Sequence, residues 1–283
     1  MSVFQAFLLG VLQGATEFLP VSSSGHLVLV PWLLGWSSPG LVFDAVVHWG
    51  TAAAVIAYFW HEWLAILKGA WLSVIGARQD TEPDRGRSAG TEVVVRGGNL
   101  LWLILLGTVP GVLLGFFLED FFEQMFERPV AASVFLFVTA GLLTAAERLG
   151  RRERDLRDLG LIDALFIGVG QALAIFPGIS RSGSTIATGL ARGMKRQPAA
   201  HFSFLLATPI IVGAGLLKVV DLVQAGGLRA QAATLAVGFA ASAAVGLVCV
   251  HFLLRYLKSR RLYPFAIYCA AFGTLSLLVA VAR

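Results

Sequence analysis

The sequence predicts an all-α polytopic membrane protein built as an inverted-topology repeat, each half one re-entrant helical hairpin plus three transmembrane helices. Three observations carry this. The chain of 283 residues is 57% hydrophobic and only 14% charged, with a mean hydropathy of +0.77, well beyond the apolar share of an ordinary soluble domain. The stretch GVLQGATEFLPVSSSGH at 10–26 recurs as GVGQALAIFPGISRSGS at 168–184, 158 positions on and without a gap. Seven positions match (Gly10/Gly168, Val11/Val169, Gln13/Gln171, Phe18/Phe176, Ser22/Ser180, Ser24/Ser182, Gly25/Gly183), where composition alone gives about one or two. Finally, the cations are confined to a few loops, the mark of a chain threaded repeatedly through a bilayer.

Residues 3–36 are apolar but interrupted at Pro20 and Pro31. Proline removes a backbone donor and ends or kinks a helix. The pattern therefore predicts two short helices joined by a polar turn, a hairpin that enters and leaves on one side. Irregular backbone at bilayer depth is tolerated only where protein buries it or it lines a water-filled cavity. The N-terminus MSVFQAFLLG lacks the basic leader of a cleaved signal peptide, so this first segment is expected to stay in the mature protein.

Residues 41–60 form the first full span, with Asp44 and His48 four apart on one face. Residues 61–98 read as one long polar connection, and GARQDTEPDRGRSAGTE within it as a flexible loop. The uncharged span 100–118 has Gly107, Gly111 and Gly115 as a flat stripe for close packing. The acidic connection EDFFEQMFERP leads to a span at 130–146, after which ERLGRRERDLRDLG links the halves as a solvated face.

The second half repeats this plan. A hairpin at 161–190 breaks at Pro177-Gly178, and spans follow at 201–217, 232–254 and 262–282, with Gly238, Ser242 and Gly246 in the same four-residue stripe. The repeats thus cover 1–150 and 151–283 within a single membrane domain. An odd number of crossings in each half turns the second upside down relative to the first, the plan of many transporters.

Charge orients the chain. The loops at 61–98, 148–160, 191–200 and 255–261 hold 17 of the 22 Lys and Arg. The positive-inside rule makes that side cytoplasmic and puts both termini outside. The net charge of +5 gives no reason to expect nucleic acid as a partner, because the cations sit in loops between apolar spans. Cys249 and Cys269 lie in apolar runs with neither disulfide nor metal spacing.

The two copies of the repeated stretch divide the chemistry. The first has Glu17 and His26 where the second has Ile175 and Ser184; the second has Arg181 where the first has Ser23. An ionisable group at bilayer depth costs about 2.5–3.5 kcal/mol by insertion scales and marks function by default. Arginine offers a planar fork matched to phosphate oxygens. The hydroxyls and amides around Ser180, Ser182 and Thr185 suit an anion nest, aided by helix starts after each turn. Glu17 suits a divalent cation held against a polyphosphate. Ser23 is a candidate nucleophile, with His26 the nearest base in the sequence.

One pattern is set aside. SSGH followed by SR resembles pieces of the acid-phosphatase-like lipid phosphatases. Those also need an upstream Lys-x6-Arg-Pro, absent here, and a histidine six residues after the arginine, where this chain has Ala187.

QGATEFLPVSSSGH with Asp44 downstream, and FPGISRSGSTI in the second half, resemble the undecaprenyl-diphosphate phosphatases, the bacitracin-resistance protein family, over nearly the whole chain. The resemblance implies a multi-pass hydrolase of the bacterial inner membrane that recycles undecaprenyl phosphate for peptidoglycan synthesis. Its partners would be a polyprenyl diphosphate lipid and the surrounding membrane lipids, with a homodimer left open. It also implies a divalent cation, Mg²⁺ or Ca²⁺. By position, Ser23, His26, Glu17 and Arg181 take catalytic roles. Ser22, Ser180, Ser182, Thr185 and Gln13 bind the substrate phosphates. Glu17, with Gln13, holds the metal; Gln13 stands where many relatives have glutamate, so the cation has one carboxylate fewer. Apart from the resemblance, Asp44, His48 and Gln171 are read as supporting residues, with an isolated structural pair near the interface an equal alternative for Asp44 and His48. The competing expectation is a transporter or flippase of an anionic lipid or phosphate compound, since the inverted-repeat plan serves transporters.

Overall fold

The computed structural model describes residues 1–75, 97–224 and 228–283. Its helices are α1 (Val3–Phe18), α2 (Ser23–Leu34), α3 (Leu41–Tyr58), α4 (Trp60–Val74), α5 (Gly97–Phe117), α6 (Glu119–Phe126), α7 (Pro129–Leu149), α8 (Leu161–Leu173), α9 (Arg181–Ala191), α10 (Arg196–Gln224), α11 (Leu228–Tyr256) and α12 (Tyr263–Ala282). Among the described residues six helices, α3, α5, α7, α10, α11 and α12, are long and apolar enough to cross a membrane; α1, α2 and α8 are shorter apolar helices. The protein is an all-α polytopic membrane protein.

Two helices stand where the sequence reads as connection. In α4, Trp60, Leu64, Leu67, Trp71 and Val74 recur along one exposed face, while Ile66, Gly69 and Ala70 are buried on the other side, and the helix packs against α5. Helical periodicity, hidden by His61, Glu62 and Lys68, makes this stretch a helix. The polar run predicted as a loop, 76–92, lies outside the described residues. The second unexpected helix is α6, inside the acidic connection.

The pairings of helices follow one rule. α1 packs on α11 and α8 on α5; α3 packs on α11 and α10 on α5; α3 meets α10 and α7 meets α12. With α1, α3, α5 and α7 set against α8, α10, α11 and α12, each of these six pairings maps onto another of them or onto itself. Glycine makes the tightest approaches: a Cβ at Gly10 would strike the Gly238 carbonyl oxygen, and one at Gly168 that of Gly107. Small residues at such crossings let backbones touch where lipid gives no hydrophobic drive.

The two hairpin tips interlock at the centre. A Cβ on Gly25 would lie 3.0 Å from the Gly178 Cα, and one on Gly183 would lie 3.5 Å from the Pro20 Cβ. Pro20 and Gly178 are themselves equivalent under the 158-residue shift, as are Gly25 and Gly183, so the contact is reciprocal. Gly178 adopts φ 101°, a conformation open to glycine and strained for other residues.

The linker between the halves is more than a solvated face. Glu147, buried at the end of α7, is paired with Arg152 and Arg196 and accepts from the Leu262 amide at 3.1 Å. Asp163, buried in the first turn of α8, is paired with Arg154 at 2.6 Å and Arg192 at 2.7 Å. Each carboxylate is thus compensated by two guanidinium groups, as burial requires.

Candidate active site

The interlocked tips bring the polar groups of both copies together. Glu17, at the end of α1, is 5% exposed. Its Oε1 is ion-paired with Arg181 at the start of α9. Its Oε2 accepts from Ser23 Oγ at 2.5 Å and from Gln13 Nε2 at 2.9 Å, and lies 3.4 Å from His48 Nε2 on α3. Groups from four helices, α1, α2, α3 and α9, meet at one carboxylate. The i, i+4 spacing of Gln13 and Glu17 on α1 puts both on the same face. Pro20 ends α1 and the chain turns, so Ser23, first residue of α2, points back at Glu17.

Two helix starts frame this cluster. Ser22 Oγ caps α2 by accepting from the Gly25 amide at 3.2 Å, and Ser180 Oγ caps α9 by accepting from Gly183 at 3.0 Å. Ser24 Oγ lies 3.3 Å from Ser22 Oγ, and Ser182 Oγ 3.2 Å from Ser180 Oγ. Helix N-termini carry unpaired amides and a positive dipole end, so two of them beside Arg181 favour an anion. Arg181 Nη1 donates to the Ser203 carbonyl at 3.3 Å, and Thr185 Oγ1 lies 2.6 Å from Ser203 Oγ.

The structure therefore brings Gln13, Glu17, Ser23, Arg181 and His48 into one cluster, with Ser22, Ser180, Ser182 and Thr185 in its walls. Asp44 supports His48 through its main chain: its carbonyl accepts from His48 Nδ1 at 2.6 Å, while Asp44 Oδ1 is buried without a partner. Gln171 is buried with neither amide atom hydrogen-bonded. The hydrogen bonds of the His26 ring go to groups other than Ser23. The ring Nδ1 lies 2.7 Å from the Ser22 carbonyl oxygen and its Nε2 2.7 Å from the Tyr268 hydroxyl on α12. The histidine that faces Glu17 is His48.

Three contributors had no signal in the sequence. Ser203 and Tyr268 lie in apolar spans. Thr139 in α7 accepts from the Ser180 amide at 2.9 Å and donates to the Gly178 carbonyl at 2.9 Å, fixing the second tip. A lone hydroxyl in a transmembrane helix more often bonds its own backbone, as Thr108 and Thr144 do here.

The cluster offers few donors for a divalent cation. Among the described residues no group of three or more His, Cys, Asp or Glu is placed to hold a metal. Glu17 is the sole carboxylate of the cluster, and Gln13 Oε1 is buried beside it without a partner. One carboxylate and one free amide oxygen are donors of the kind a hard cation takes, but too few to hold one without further oxygen ligands.

Residues 6–275 match the family described as bacitracin resistance protein BacA. Across 283 residues the chain is 41% identical to a protein of Desulforudis audaxviator, covering all of both chains. It is 41% identical to one of Pelotomaculum thermopropionicum over all of this chain and 98% of that one. A protein of Methanosphaera stadtmanae is 39% identical over 281 residues, 99% of each chain. All three relatives are named undecaprenyl-diphosphatase. With a family match over nearly its whole length and relatives similar from end to end, this chain belongs to the BacA family.

Proposed function

We propose that this chain hydrolyses undecaprenyl diphosphate to undecaprenyl phosphate and inorganic phosphate, recycling the lipid carrier and conferring bacitracin resistance. One observation carries the reading: Ser23 Oγ donates to Glu17 at 2.5 Å, and Glu17 is paired with Arg181 where two capped helix starts meet. A hydroxyl on a base, beside a fixed cation in an anion-favouring frame, is the equipment of phosphoryl transfer. The names of the relatives support the same substrate.

In this reading the diphosphate draws Arg181 onto its non-bridging oxygens. Ser23 Oγ attacks the terminal phosphorus, its proton passing to Glu17 Oε2, the atom it already faces. The anhydride P–O bond breaks and the prenyl monophosphate leaves. Water then hydrolyses the phosphoserine and releases phosphate. Glu17 and Gln13 would hold the divalent cation, which supplies positive charge to the diphosphate when bound. The halves are proposed to lie inverted in a bacterial inner membrane, both termini periplasmic, with the first hairpin entered from outside.

Purified protein in detergent with Mg²⁺ should release inorganic phosphate from undecaprenyl diphosphate. Wild-type protein that binds the lipid but leaves it intact would contradict the reading and favour a carrier.

A further inference from the structure

Ser22 is one of two non-glycine residues with positive φ among the described residues, at φ 71° and ψ 91°. A serine held there is strained and persists only where its surroundings over-determine it. It directly precedes Ser23, so its dihedrals set where the Ser23 hydroxyl points. The repeat supplies an internal control. Ser180, the equivalent residue in the second copy, caps α9 in the same way yet has an ordinary φ of −69° and ψ of 120°. Among the positions where the copies differ is the residue four on, which hydrogen-bonds back to the cap residue. In the first it is His26; in the second it is Ser184, whose buried hydroxyl has no hydrogen-bond partner.

His26 acts on Ser22 directly. The Ser22 carbonyl accepts from the His26 amide at 3.1 Å and lies 2.7 Å from His26 Nδ1. A carbonyl only accepts, so Nδ1 carries the ring proton, and Nε2 is left to accept from the Tyr268 hydroxyl at 2.7 Å. The ring is 1% exposed and stacks on Phe272 with centroids 4.6 Å apart. Tyr268 is 44% exposed, and its hydroxyl turns inward to this bond. The far end of α2 is tied to the end of α12 as well: Arg283 donates to the Trp32 and Leu33 carbonyls at 2.9 Å each.

From this we infer that Tyr268 and His26 form a strut, braced on α12, that holds Ser22 in its strained conformation and so aims Ser23 at Glu17. Both are positioning residues. Neither handles the proton of the reaction, which stays with Glu17. The inference rests on the reading of Ser23 as nucleophile.

The test separates strut from proton carrier. Asparagine places a side-chain N–H close to where Nδ1 stands but does not titrate. His26→Asn should keep a tenth or more of wild-type turnover, whereas His26→Ala should fall by about 10²–10³. Tyr268→Phe should lower kcat about tenfold with KM unchanged, the size of one lost hydrogen bond. Thermal unfolding of each variant checks that it is folded. Ring ¹⁵N resonances of histidine-labelled protein in bilayers, with His26 assigned by its absence in His26→Asn, should show the Nδ1–H tautomer. That signature stands whether or not Ser23 proves to be the nucleophile, which Ser23→Ala decides separately. A folded His26→Asn as inactive as His26→Ala, or a His26 ring protonated at Nε2 alone, would overturn the strut.

Discussion

Glu17 is where the charges of this centre meet, and single-residue predictions turn on it. Its carboxylate faces Arg181, Ser23, Gln13 and His48 at once. Glu17→Gln should therefore lower phosphate release by at least about 10²–10³, the usual effect of losing one electrostatic group in a site. Removing one partner of a buried pair also strands the other, at about 3–5 kcal/mol, so Arg181→Ala should lose both stability and activity. Arg181→Lys should recover part of the activity by restoring charge without the fork. Gln13→Glu should shift the Mg²⁺ titration of activity to lower concentration, because it adds a hard anionic ligand; an unchanged titration would mean that the substrate phosphates alone hold the cation. The residues of this cluster were legible because the two copies differ at them: Glu17 against Ile175, Arg181 against Ser23. His48 was visible only as a neighbour of Asp44, since nothing local says that α3 approaches the end of α1. His26 is the opposite case. Three residues from Ser23 in sequence, its ring folds back on the Ser22 carbonyl and outward to α12, a contact made across 242 positions.

At the scale of elements, the hairpins depend on backbones that approach more closely than side chains allow. Gly178 combines φ 101° with a Cβ position that would collide with the Ala132 carbonyl oxygen. Gly178→Ala should cost at least about 1–3 kcal/mol from backbone strain alone and displace Ser180, which Thr139 ties to the same turn. Gly141 in α7 has open space where its Cβ would be. Gly141→Ala should leave thermal unfolding unchanged or raise it slightly, since alanine favours a helix by about 0.8–1 kcal/mol over glycine. A melting temperature equally depressed in both variants would show that close approach at the tips is not what holds them. The six spans and both hairpins were legible because each combines hydropathy with a proline or glycine break. α4 was not, because its charged residues dilute a face that only helical periodicity reveals.

At the scale of the molecule, loop charge and the repeated stretch lead to the proposal that the second half lies inverted relative to the first. Equivalent connectors should then open on opposite faces. In a chain with Cys249 and Cys269 replaced, a cysteine at Ser38, after the first hairpin, should react with an impermeant thiol reagent from outside. One at Lys195, after the second, should react only once the cytoplasmic side is exposed; labelling of both from one face would break the inversion. The repeat was readable because hairpin tips keep their residue types where spans drift among apolar ones. Which polar atoms the two tips bring together was beyond the sequence, because those contacts depend on the crossing of α1, α3 and α9. The convergence of both tips on one phosphoryl-transfer centre is tested most directly by trapping the transferred group. Prenyl diphosphate labelled with ³²P at its terminal phosphate, mixed with enzyme and quenched within one turnover, should leave label on the peptide that carries Ser23, and none on Ser23→Ala. Turnover at the normal rate with no label on Ser23, or a folded Ser23→Ala that keeps a tenth of wild-type turnover, would contradict the account and assign the attack to water.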